Sequence, residues 1–365
     1  MPKKIKNCFY ENLTFEKLLQ AHNRAKKHKT YKNEVIEFEF NLENNIFNLL
    51  NNIKNNRYHL GEYYTFKIYE PKERIISALP YIDRIVHQWY VEEFIKPYIV
   101  PKFINTTFAC LKDKGTHKAV DEVLQQMRTF KRKNGNFWIL KCDIKKFFYN
   151  IDPMILFEIL KKYISDKKLL RFTHLLIFDR RIISKNNIGI PIGNYTSQFF
   201  ANIYLNELDQ FIKRKLKVKY YCRYMDDFVL LAKTKNDCIN LKKQIETFLN
   251  QRLHLELNNK SKYYPYSMGV NFCGYRIFTT HKLLRLDSKK KIKKNVKHWN
   301  KLFYKNTLNI HKTTLSINSW LGHASHCNSY KLQQKILHSC KFLYYDDMDY
   351  SSVENELISL CLNTK

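Results

Sequence analysis

Residues 219–232 read KYYCRYMDDFVLLA, two β-prone runs with a pair of aspartates between them. Strands interrupted this briefly form a hairpin, which puts Asp226 and Asp227 at the reversal. Another apolar run, FWILKC over 137–142, is rich in strand formers and stops at Asp143. If these strands share a sheet, three carboxylates converge at one edge. The surrounding segments read as helices. Asp152 and Pro153 supply an N-cap and a first-turn proline ahead of Leu156, Ile159, Leu160 and Tyr163 at helical spacing. Residues 196–216, after the breakers Pro191 and Gly193, present Phe199, Ile203, Leu208, Phe211 and Ile212 on one side, and 235–252 do the same with Leu241, Ile245, Phe248 and Leu249. Residues 270–278 read as a further strand and the basic row 288–306 as a helix. The order strand, helix, helix, hairpin, helix predicts an α+β fold.

Charge decides what such a site acts upon. Lys and Arg number 64 against 33 Asp and Glu in 365 residues, a formal charge of +31 that points to a polyanionic partner. At 44% hydrophobic and 15% aromatic, the chain has the apolar content to fold, which excludes a disordered basic tail. The length predicts roughly two to three domain-sized units. Eight glycines and eight prolines leave no flexible linker, so these read as sub-domains of one body. No run approaches the ~18 apolar residues of a membrane span. The start, MPKKIKNCFYENL, lacks the apolar core of a signal peptide, so the expectation is a cytoplasmic protein with no membrane partner. Nine scattered cysteines without a Cys-x-x-Cys pair read as reduced thiols. His323, His326 and Cys327 lack a fourth ligand at finger spacing, so structural zinc is not expected.

Three carboxylates are hard oxygen ligands of the kind Mg²⁺ prefers. Two such ions roughly 3.5–4 Å apart activate a 3′-hydroxyl and stabilise a leaving pyrophosphate, so the pattern suits nucleotidyl transfer. A Tyr-x-Asp-Asp string alone is weak, since paired acids in turns are usually just solvated. The chain carries its own control: Tyr344, Tyr345, Asp346 and Asp347 spell the same string, but MDYSSVENE follows in place of a returning apolar strand. That copy reads as an acidic surface segment.

The ordered set CDIKKFF (142–148), PIGNYTSQ (191–198), YMDD (224–227) and NFCGY (271–275) resembles a reverse transcriptase, and the resemblance covers most of the chain. EPKERIISALPYIDRIVHQ (70–88) is similar to the fingers segment, FACLKDKGTHKAV (108–120) to the segment before the palm, and SWLGHASHCNSY (319–330) to the thumb of bacterial enzymes. It implies a right-hand polymerase with an antiparallel palm sheet and a helical thumb. The divisions are a basic N-terminal extension (1–35), fingers (36–135), palm (136–285, with a fingers-linked insert near 165–190), thumb (286–340) and an acidic tail (341–365). Most bacterial relatives carry glutamine before the glycine and proline after the serine of the 191–198 motif. Ile192 and Gln198 instead resemble the enzymes of diversity-generating retroelements, as does THKLLR (280–285), whereas the tail is longer and more acidic than theirs.

The resemblance implies roles residue by residue. Asp143 and Asp226 ligate two Mg²⁺ ions, with Mn²⁺ as the substitute, and Asp227 supports the site or is merely a turn former. Lys72 and Arg74 match fingers residues on the triphosphate, where a guanidinium fork suits phosphate oxygens; the alternative is ordinary exposed charge. Phe148 matches the steric gate against a ribose 2′-hydroxyl, or is a core aromatic. Ile192, Gly193 and Gln198 border the incoming deoxynucleotide, and Lys260 or Lys262 stands where a palm lysine protonates pyrophosphate. Phe272, Gly274 and Tyr275 resemble the primer grip. Lys290, Lys293, Lys294 and Lys297 track duplex phosphates or form a solvated helix face. The partners implied are template RNA, its cDNA duplex, deoxynucleoside triphosphates and a basic helical accessory protein, in a bacterial or phage setting. The implied activity is RNA-directed DNA synthesis, error-prone at adenines. The alternatives are a group II intron type, disfavoured by Ile192, Gln198 and the lack of an appended endonuclease or maturase domain, a phage-defence enzyme, or a catalytically idle RNA-binding protein.

Overall fold

The computed structural model describes residues 4–69, 73–178 and 188–343. Four helices open the chain: α1 (Phe9–Asn12), α2 (Phe15–Lys26), α3 (Asn33–Phe40) and α4 (Leu42–Lys54). The hairpin of β1 (Tyr64–Ile68) and β2 (Arg74–Ala78) follows, antiparallel with Tyr64 opposite Ala78 and Ile68 opposite Arg74. Next come α5 (Tyr81–Tyr90), α6 (Lys96–Tyr98) and α7 (Thr116–Asn134), the last closed by Gly135 in the left-handed region at φ +71°. β3 (Trp138–Asp143) is the expected apolar strand, and α8 (Phe147–Asn150) is a single turn. α9 (Pro153–Lys161) starts where the sequence places it, with the Asp152 carboxylate accepting the N–H groups of Met154 and Ile155.

α10 (Lys167–Phe178) precedes α11 (Tyr195–Gln210), which ends earlier than the apolar pattern suggests and passes into a π-helical turn over Phe211–Lys215. The acidic hairpin is β4 (Tyr221–Tyr224) and β5 (Asp227–Ala232), so Asp226 is in the turn while Asp227 already belongs to the strand. α12 (Lys235–Leu253) and β6 (Lys262–Pro265) follow. The expected strand over 270–278 is two strands, β7 (Val270–Phe272) and β8 (Tyr275–Ile277), because Cys273 at φ +45° and Gly274 at φ +88° reverse the chain. β9 (Lys282–Leu284) completes that antiparallel sheet, and the larger sheet has the order β4-β5-β3-β6. α13 (Leu286–Phe303), α14 (Ile310–Ser325) and α15 (Tyr330–His338) follow, and a 3-10 turn over Lys341–Leu343 ends the described elements.

The chain divides into two compact units, Met1–Asp113 with Cys142–Phe228 and Ile239–Lys262, and Lys114–Lys141 with Val229–Cys238 and Tyr263–Lys365. In the first, Phe9, Trp89, Phe94 and Phe172 pack ring against ring with centroids 5.2–6.1 Å apart. In the second, Ile292 and Val296 of α13, Ile317 and Leu321 of α14, and Ile336 and Leu337 of α15 form one buried cluster, with Trp320 packed against it. No helix among the described residues is long and apolar enough to cross a membrane. Lys72, the second Tyr-x-Asp-Asp string, part of the 165–190 insert and the tail beyond 343 lie outside the described residues.

Candidate active site

The first unit holds Asp143 and the acidic turn together. Ile144, directly after Asp143, donates its N–H to the carbonyl of Asp226 at 3.2 Å, so the two aspartates lie on neighbouring backbones. Asp143 is clamped on its other side. Its N–H donates to Ser261 Oγ at 3.1 Å, and its carbonyl accepts the Asn258 N–H at 2.7 Å and the Ser261 hydroxyl at 3.3 Å. With both peptide groups committed, little freedom is left at its Cα. Asp143, Asp226 and Asp227 are all half-buried, with solvent still reaching them.

A buried ionic cluster supports the turn. Met225 sits at φ +53°, a conformation that costs a non-glycine residue of order 1–3 kcal/mol. Its carbonyl accepts a hydrogen bond from Arg223 Nη1 at 3.0 Å. Arg223 is wholly buried, its Nε and Nη2 forked onto the two carboxylate oxygens of Asp209 at 2.8 and 2.6 Å, with Nη1 also reaching Asn202 Oδ1 at 3.0 Å. Asp209, equally buried, accepts the hydroxyls of Tyr221 (2.6 Å) and Thr107 (2.9 Å) as well. Burial works against the guanidinium, yet Asp209 raises its pKa further still, so the charge is secure.

Around this centre, backbone bonds join three of the expected substrate segments. The Ile190 N–H donates to the Phe148 carbonyl at 2.9 Å, and the Ile192 carbonyl accepts the Ser77 N–H at 2.8 Å. Gly193, at φ +125°, is required there, since a Cβ would lie 2.9 Å from the Ser77 carbonyl oxygen and from Ile76. The Phe148 segment, the Ile192–Gly193 loop and the β2 strand that opens with Arg74 therefore form one connected layer. Phe148 and Ile192 are half-buried, whereas Arg74, Gln198 and both candidate lysines, Lys260 and Lys262, are exposed. Thr196 meets His87 Nδ1 at 2.8 Å, and burial pushes the His87 pKa down to about 3.

Among the described residues no group of three or more His, Cys, Asp or Glu side chains is gathered as a metal cage. Asp226 lies in the turn and Asp227 opens the strand that follows. A site for Mg²⁺ does not need a cage, because the ion keeps water and takes substrate phosphates beside one or two carboxylates. The half-buried oxygen donors of Asp143 and Asp226 on adjoining backbones fit that requirement.

The second unit carries the remaining candidates. Phe272 is buried. Gly274 forms the tight turn, where a Cβ would stand 3.2 Å from the His323 ring. Tyr275 is buried, its hydroxyl donating to the His323 carbonyl at 2.7 Å and meeting Nδ1 of His323 and of His117 at 2.9 and 3.2 Å. His117 stacks on His326 with ring centroids 3.6 Å apart. Lys290, Lys293, Lys294 and Lys297 all lie exposed on α13, opposite its buried Ile292 and Val296.

Residues 67–277 match the family model of the reverse transcriptase, or RNA-dependent DNA polymerase. The chain belongs to the reverse transcriptase family. It is similar to the group II intron-encoded protein LtrA of Lactococcus lactis subsp. cremoris, 23% identical over 306 residues that cover 64% of this chain and 50% of that protein. It is also similar to YkfC of Escherichia coli K12, 24% identical over 58% of this chain and 66% of that one. The chain thus spans about half the length of the first of these relatives. Among solved structures, telomerase from Candida albicans in complex with a TWJ fragment of telomeric RNA aligns over 86% of this chain and 60% of that chain, with TM-score 0.45 and 13% identity.

In this member of the reverse transcriptase family the supporting residues leave a fainter mark in the sequence than the acids. Asp209 and Arg223 are charges set among apolar neighbours, Asp209 beside Leu208, Phe211 and Ile212, and Arg223 inside a β-prone run. A charge on an apolar face is the signal that marks such a pair. The clamp on Asp143 by Asn258 and Ser261 has no comparable signature.

Proposed function

We propose that the protein is an RNA-directed DNA polymerase, with 36–135 as fingers, 136–285 as palm and 286–340 as thumb. The hydrogen bond from Ile144 to Asp226, which sets Asp143 and Asp226 side by side, is the observation that carries this reading. Those two carboxylates would hold two Mg²⁺ ions, which supply activation of the primer hydroxyl and charge neutralisation on the triphosphate. Asp227 supports the turn. Arg74 and Lys72 hold the triphosphate, Phe148 excludes a ribose 2′-hydroxyl, and Lys260 or Lys262 delivers a proton to pyrophosphate. Of the three residues that resemble the primer grip, Phe272 and Tyr275 are buried and support the turn from within, which leaves the backbone at Gly274 to meet a primer, and the exposed lysines of α13 follow duplex phosphates without reading bases.

The sub-class we propose is an error-prone enzyme of a diversity-generating retroelement, copying a template RNA with the help of a basic helical accessory protein. Ile192 supports it. An apolar side chain at this point removes the polar check that glutamine offers to the incoming pair, and each 1.4 kcal/mol of lost discrimination is about tenfold in error. A group II intron-type role is the second reading, favoured by the similarity to LtrA. Sequencing cDNA made from one defined template by the wild type and by Ile192→Gln separates the two. Errors concentrated opposite template adenines, falling several-fold in Ile192→Gln, are expected. Equal, low error at all four bases in both enzymes would favour the intron type, and failure to extend a primed RNA at all would remove the polymerase reading.

A further inference from the structure

β3 ends at Asp143, and the turn that leads into β6 at Lys262 lies against that end. Here a side chain does the work of a strand backbone. The Ser261 hydroxyl accepts the Asp143 N–H at 3.1 Å and donates to the Asp143 carbonyl at 3.3 Å, which one hydroxyl can do because it carries a donor and two lone pairs. Ser261 is 5% exposed, so water hardly competes for these bonds.

The serine is itself fixed. Its N–H donates to the Asn258 carbonyl at 2.8 Å, closing a turn over 258–261, and Asn258 Oδ1 accepts the Lys260 N–H at 3.1 Å inside that turn. The Asn258 N–H reaches the Asp143 carbonyl at 2.7 Å and anchors the turn to the strand end. Ile144 then bonds to Asp226, which keeps the two aspartate backbones together. The two sides have different effects. The Ile144 bond sets how close the backbones lie, whereas the serine bonds set the peptide planes on which the direction of the Asp143 Cα–Cβ bond depends.

We propose that Ser261 is a positioning residue, aiming the Asp143 carboxylate so that it serves beside Asp226 as a ligand of divalent metal. The inference rests on the polymerase reading of those aspartates. Asn258 clamps Asp143 through a backbone N–H, which survives substitution, whereas Ser261 acts through its side chain, so the clamp can be removed there. Groups that orient a metal ligand are typically worth roughly 10–100-fold in metal affinity or activity.

Mn²⁺ binding followed by electron paramagnetic resonance, beside primer extension, tests it in the full chain. In Ser261→Ala the Mn²⁺ dissociation constant should rise about tenfold, with kcat for deoxynucleotide incorporation falling at least as far and KM for dNTP nearly unchanged. Ser261→Cys fills the same space with a weak donor and acceptor, which guards against a folding defect, and should weaken Mn²⁺ binding several-fold. Ser261→Thr keeps the hydroxyl and should restore both readouts. A serine that only stabilised the fold would lower the urea midpoint and leave the Mn²⁺ affinity of the folded protein where it was. Wild-type Mn²⁺ affinity in both Ser261→Ala and Ser261→Cys, with extension intact in the wild type, would overturn the positioning role and leave the polymerase reading standing. A wild type that binds Mn²⁺ through Asp226 yet extends no primer would remove the polymerase reading, while tenfold weaker binding in Ser261→Ala would still uphold the clamp. A wild type that binds no Mn²⁺ would overturn the metal site and the clamp together.

Discussion

Asp209 and Asp226 are the same side chain in the same unit, placed in opposite surroundings. Asp209 is fully buried, with Arg223, Tyr221 and Thr107 all directed at its oxygens. Asp226 is half-buried in a turn held from behind through the Met225 carbonyl. On the proposed reading of Asp226 as a metal ligand, the difference separates two tasks. A carboxylate that must bind an ion and a moving substrate needs open coordination, whereas one that must hold a backbone in place needs every lone pair engaged. Arg223 connects them, bonding to Asp209 and to the turn at once.

Asp226→Asn breaks the open side. It removes charge and almost no shape, so deoxynucleotide incorporation should fall at least a thousandfold, about 4 kcal/mol at 1.36 per tenfold, with urea unfolding unchanged. Activity above a tenth of wild type in a primer-extension assay would reject Asp226 as a metal ligand.

Arg223→Met breaks the closed side. It strands the Asp209 charge and should cost about 3–5 kcal/mol of stability in urea unfolding. Coupling to Asp209→Leu in a double-mutant cycle should be roughly 0.5–3 kcal/mol, and additive single effects would mean that the two charges stand independently. In whatever fraction of Arg223→Met folds, incorporation should fall through kcat and not through the KM for dNTP, because the loss acts on the turn.

His87 sharpens the comparison as a buried group left half-satisfied. One ring nitrogen meets Thr196, while Nε2 is buried with no partner. Burial takes its pKa from 6.5 to about 3. The unfolded chain therefore binds a proton first as pH falls, so the stabilisation is fully present above pH 6.5 and is lost progressively towards pH 3. Between pH 7 and 5 the loss should be about 2 kcal/mol. Thermal unfolding of His87→Leu should lose most of this dependence, and an equally steep profile in that variant would assign it to other groups.

Local chemistry wrote much of the fold into the sequence. The strand that ends at Asp143, the hairpin around Asp226, the Asp152 cap on α9 and the amphipathic α13 each depend on residues within a few positions of one another, where periodicity and capping act directly. Reading 270–278 as one strand overlooks the break that the sequence does carry, since the apolar positions change parity from Val270 and Phe272 to Tyr275 and Ile277 across Gly274. Tertiary structure alone decided which distant groups meet: Asp143 with Asn258 and Ser261, Asp209 with Arg223 and Thr107, Tyr275 with His117 and His323. Each of these meetings joins segments far apart in the chain, whose local propensities carry no information about their partner. Burial selects them, since a polar group taken from water persists only where the packed fold returns its hydrogen bonds.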